Sequence, residues 1–89
     1  MEEKKKKELL FMQLVMQNQQ MALVSLGKTV HPVSNKTEKN LEYAKLSIDT
    51  LNMLKEKTKG NLSEYEEKYL DEVLSQLKLD YLKESDGEK

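Results

Sequence analysis

Residues 48–66 read IDTLNMLKEKTKGNLSEYE, and this stretch decides the fold. Ile48 and Leu51 stand on the apolar face of a helix whose last turn is cationic, with Lys55, Lys57 and Lys59 at the negative end of its dipole. Gly60 follows where a left-handed C′ residue ends a helix at no steric cost. Ser63-Glu64-Tyr65-Glu66 is a capping box, in which the serine hydroxyl serves the Glu66 N–H and the glutamate reaches back. Two helices therefore meet here through a short junction.

Working outward, the next helix runs from Glu64 to about Lys83. Leu70, Val73, Leu74, Leu77 and Tyr81 form one stripe bordered by Tyr69, and the other side is charged or polar. Upstream, the middle helix is expected from an N-cap at Thr37, with Glu38 in its first turn, to about Thr58. Its main face is Leu41, Ala44, Ile48 and Leu51. Tyr43, Leu46, Met53 and Leu54 widen that face, and Lys45 and Asp49 stand at ion-pair spacing on the polar strip. Residues 28–36 form a loop with the only proline; His31 precedes Pro32, and Ser34-Asn35 has turn chemistry.

The first helix is expected over Lys5–Leu26, with Gly27 as its stop. Phe11, Val15, Ala22 and Leu26 share one side, Met12, Met16 and Leu23 a second, and Leu10, Leu14 and Met21 a third. Only Gln13, Gln17 and Gln20 make a coherent polar strip. Residues 1–7 read as a frayed lead-in and 84–89 as a polar tail.

The whole chain of 89 residues is one domain near the size at which a single core only just outweighs chain entropy. It has no cysteine, one proline, three glycines and 6% aromatics, a composition that favours helix and excludes disulfides and thiolate metal sites. A formal net charge of -1 withholds the positive field that nucleic-acid binders need. Lys4–Lys7 followed by Leu9–Met16 resembles a secretion signal. However, Glu2, Glu3 and Glu8 dilute its charge, Gln17-Asn18-Gln19-Gln20 breaks the apolar run, and no cleavage site follows. The run is also shorter than the roughly 20 residues that span a bilayer. A cytoplasmic protein without membrane contact is expected.

The fold class expected is all-α: a three-helix bundle of two long helices and a C-terminal amphipathic one, completed by oligomerisation. Three helices bury one stripe each, but the first two present more. A homo-oligomer, with a dimer favoured, covers the excess, and the interface residues predicted are Phe11, Met12, Val15, Met16, Leu23, Leu46, Met53 and Leu54. The competing arrangement is a monomer in which loop 28–36 and the methionines cover that surface.

No catalytic, cofactor or metal constellation is visible, so no enzyme activity and no cofactor are expected. His31 has no second histidine or cysteine to share a metal with. The acids Glu64, Glu66, Glu67, Asp71 and Glu72 are explained by the positive end of the third helix dipole. Lys55, Lys57, Lys59 and Asn61 form a candidate anion site for RNA or a phosphorylated ligand. The stretch lacks the Walker pattern, and its lysines end a helix instead of preceding one.

Phe11, Leu14, Ala22, Leu26-Gly27, Pro32, Asn40-Leu41, Ala44-Lys45, Ile48-Asp49-Thr50-Leu51, Met53-Leu54 and Lys57-Thr58-Lys59-Gly60-Asn61-Leu62, followed by Glu66 and Leu77, occur in the order of a known pattern. The chain resembles, from about Glu8 to Leu82, a family of short bacterial helical proteins known as a domain of unknown function. The resemblance implies a cytosolic, all-helical bacterial protein and brings no catalytic residue, substrate or cofactor. The chain carries Leu77-Lys78-Leu79 where the family tends to Leu-Arg-Met; lysine keeps the charge but lacks the bidentate fork. The function expected is a non-enzymatic, self-associating interaction module with room for an unknown protein partner. A small anion-binding protein is the alternative.

Overall fold

The structure is a computed structural model that describes residues 2–86. Its three helices are α1 (Glu3–Ser25), α2 (Leu41–Lys57) and α3 (Glu64–Asp86), with no strand among the described residues. The all-α bundle expected from the sequence is the fold observed. The chain runs up, down and up: Asn40 N–H donates to the Ser25 carbonyl at 2.7 Å, and Lys39 at the foot of α2 pairs with Glu84 near the end of α3 at 3.8 Å.

The core is small and well defined. Val15, Ala22 and Leu26 of the first segment meet Ala44, Ile48 and Leu51 of α2 and Leu70, Val73, Leu74 and Leu77 of α3. Phe11, Leu23, Leu41, Leu54, Leu62, Tyr69 and Tyr81 pack around it. Each helix contributes the stripe that its spacing dictates. The Cα trace measures 45 × 26 × 16 Å, so the bundle is flattened, with α2 in contact with both neighbours. Flattening leaves broad outer faces that no other helix covers.

The helix ends carry much of the definition. Gly27 takes φ +77°, its N–H donates to the Val24 carbonyl and the Lys28 N–H to the Leu23 carbonyl, which completes a Schellman closure of α1. In the capping box, Ser63 N–H donates to Glu66 Oε1 at 2.7 Å, and Glu66 N–H donates to Ser63 Oγ at 3.1 Å.

Several boundaries depart from expectation. The middle helix starts at Leu41, not after Thr37. Asn40 is the N-cap, its Oδ1 accepting the Tyr43 N–H at 3.1 Å, because the Asn40–Ser25 bond fixes the backbone there. That helix ends with Thr58 as its C-cap, so Gly60 lies two residues beyond the cap. With φ +84°, Gly60 is the third residue of a β-turn closed by Asn61 N–H on the Thr58 carbonyl. Glu3–Lys7, expected to fray, belong to α1, since Glu and Lys are good helix formers, and Glu84–Asp86 belong to α3, where Lys39 holds Glu84. The remaining residues of the tail, 87–89, lie outside those described. Lys45 and Asp49 close no ion pair among the described residues, whereas Lys55–Asp71 and Lys39–Glu84 do.

Candidate functional site

The junction between α2 and α3 holds the predicted anion-site residues. Lys55 Nζ lies 2.6 Å from Asp71 Oδ1, with both side chains about half exposed, so its charge is already matched. Lys57, Lys59 and Asn61 are exposed. The adjoining hollow of about 310 Å³ is walled by Glu56 and Glu67 as well as by Lys55 and Lys59, so its field is mixed. A phosphate cradle also needs free backbone donors. Here Lys59 N–H donates to the Glu56 carbonyl, Asn61 N–H to that of Thr58, and Ser63 N–H to the Glu66 carboxylate. The junction uses its donors to end one helix and begin the next.

His31 has a structural task that its sequence position does not show. Its Nδ1 accepts the Val33 N–H at 3.1 Å and the Ser34 N–H at 3.4 Å. Its own N–H donates to the Lys36 carbonyl, and Asn35, at φ 57°, donates to the His31 carbonyl. Segment 31–36 is thereby closed on itself. It forms one wall of a groove of about 650 Å³ together with Met21, Val24, Val30, Glu38 and Tyr43. The groove is apolar within, and Glu38 and Lys39 both stand on its rim.

No group of three or more His, Asp or Glu able to hold a metal occurs among the described residues. Burial, with a smaller contribution from Tyr65, pushes the Tyr69 phenol above its ordinary value of 10.0, away from use as a base near neutrality.

The predicted interface residues divide into two groups. Val15 is fully buried in the bundle, whereas Phe11, Leu23 and Leu54 pack against the same core and are half-buried. The expectation for Val15 fails because α2 and α3 between them cover the side of α1 on which it lies. Met12 is half-buried, while Met16, Leu46 and Met53 are exposed.

The stripe left out of the prediction is the third side of α1. Leu10 is 53% exposed, Leu14 42% and Met21 48%. They lie on one line along the helix with Gln17 between them. On α2, Tyr43, Leu46 and Met53 are exposed along a second line at helical spacing with the half-buried Thr50 between them, and Tyr43 shares the groove with Met21. The two lines meet at the groove, where Met21 and Tyr43 lie together. Segment 28–36 lies at one end of the bundle, where it walls the groove beside Met21 and Tyr43, and leaves Leu10, Leu14, Leu46 and Met53 exposed.

The family model for a domain of unknown function, DUF1844, matches residues 8–83. The chain belongs to the DUF1844 family. No curated protein and no solved structure matches this DUF1844 chain. Residues 8–83 take in the whole core, the Schellman closure, the capping box and the outer apolar face. No helix of the described residues is long and apolar enough to cross a membrane.

Proposed function

We propose that this DUF1844 protein is a non-enzymatic, cytoplasmic interaction module that self-associates as a dimer through the outer face of α1 and α2. One observation carries the reading. The core is complete without Leu10, Leu14 and Met21, yet these three stand half in water along one helix line. Soluble monomers seldom leave a contiguous apolar face of this kind uncovered. Leu46 and Met53 extend it across α2, Gln17 stands within the α1 line, and Gln13 and Gln20 supply amides to its edge. A second copy of the chain is the occupant that meets an apolar face with a face of the same chemistry.

Native mass spectrometry of the wild type beside Leu14→Glu with Met21→Glu tests this. The wild type is expected as a dimer and the variant as a folded monomer. Equal masses for both would refute the assignment of the face.

The second reading is binding of RNA or a phosphorylated ligand at Lys57, Lys59 and Asn61, which rests on the exposure of those three side chains. Such binding would weaken with salt and vanish in Lys57→Glu with Lys59→Glu. The acidic walls of the hollow and its occupied backbone donors favour the first reading.

A further inference from the structure

Resting on that self-association, we infer that two copies pair through antiparallel α1 helices along Leu10, Leu14, Gln17, Met21 and Val24. These positions follow one another at alternating steps of four and three, the spacing of a short coiled-coil seam. Such a seam can run parallel or antiparallel, and the charges of α1 decide between them.

Lys4, Lys5, Lys6 and Lys7, outnumbering Glu2, Glu3 and Glu8 beside them, crowd the first turns of α1, where the helix dipole is positive, and the N-cap Glu2 makes no side-chain cap there. The last turn of α1, where cations belong, carries none. A parallel partner would stack one lysine cluster on the other. An antiparallel partner brings each cluster to the negative end of the opposite helix dipole, whose last turn holds no cation of its own, beside Glu38 and Lys39 at the groove.

The seam then has one satisfactory register. Leu10 meets Met21 of the second copy, and Leu14 meets Gln17. Lys7 reaches the level of Val24, and Glu3 falls opposite Lys28. The groove bounded by Met21, Val24 and Tyr43 lies where Leu10 of the second copy arrives, so an apolar side chain enters an apolar hollow.

The chain has no cysteine, so single cysteines report the geometry cleanly. Leu10→Cys and Met21→Cys proteins are prepared separately, checked for helicity by circular dichroism, and oxidised alone and as a mixture. The expected result is a cross-link in the mixture and none in either protein alone. In the antiparallel register, the two copies of position 10 are about 16 Å apart along the axis, beyond the roughly 7 Å that a disulfide spans. Self-linking of Leu10→Cys would overturn the inference in favour of a parallel pair. A dimer that gives no mixed cross-link would overturn it and leave self-association standing, whereas a chain that stays monomeric removes both. The charge match is read separately: Lys6→Gln with Lys7→Gln should weaken the dimer about tenfold at low salt, and an unchanged dissociation constant would overturn it.

Discussion

Replacing Leu10 by glutamine separates what holds the dimer from what holds the fold. Leu10 is 53% exposed and absent from the core cluster, so about half of its side chain is available for burial by a partner. Full burial of a leucine is worth about 1.5–3 kcal/mol, which makes the share left to the partner about 1 kcal/mol. A symmetric interface contains the residue twice, so Leu10→Gln should cost the dimer about 2 kcal/mol, or about 30-fold in its dissociation constant. Glutamine is as good a helix former as leucine to within a few tenths of a kcal/mol, and the residue lies on the surface. The isolated subunit should therefore keep its stability to within about 0.5 kcal/mol. Sedimentation equilibrium of wild type and variant side by side reads the first quantity. Thermal melts at a dilution where both are monomeric read the second. An unchanged dissociation constant would refute the placing of Leu10 in the interface. A large fall in the melting temperature of the dilute variant would show that Leu10 supports the bundle instead.

Three further outcomes test the fold. Ser63→Ala or Glu66→Ala removes one half of the reciprocal cap on α3 and should destabilise by about 1 kcal/mol, measured by urea denaturation; no change would mean that the cap is not formed in solution. Gly27→Ala places a Cβ 3.8 Å from the Lys39 Cβ, an ordinary contact, so its expected cost of about 1–2 kcal/mol is that of φ +77° alone, read as a lower melting temperature. A double-mutant cycle on Lys55→Ala and Asp71→Ala should give a coupling below about 1 kcal/mol, because both side chains are half exposed and water screens the pair. A larger coupling would show that the junction is drier than its exposure indicates.

The core faces were legible because each is written in helical spacing: Val15 to Leu26, Ala44 to Leu51 and Leu70 to Leu77 appear in the structure where the wheel puts them. The stop at Gly27 and the capping box at Ser63 were legible for the same reason, since their chemistry is local. The start of α2 was not. Thr37 is a good cap in isolation, but a tertiary bond from Asn40 to Ser25 selects the later residue. The clamp formed by His31 was hidden because its partners are backbone N–H groups of the same loop, which have no signature in side-chain pattern. The surplus of apolar surface on α1 could be read from its wheel, whereas its division between core and outer face could not. Apolar on several sides, the helix gives no internal clue to which side its neighbours cover. Val15 consequently went to the core, while Leu10, Leu14 and Met21 were left outside it.

Sedimentation velocity of the unmodified protein, from low to high micromolar concentration, bears most directly on the claim that a second copy covers α1. The boundary should move from a 10.4 kDa species towards one of twice that mass as concentration rises. A single species of 10.4 kDa across the whole range would contradict the account, for Leu10, Leu14 and Met21 would then stand in water with nothing to cover them.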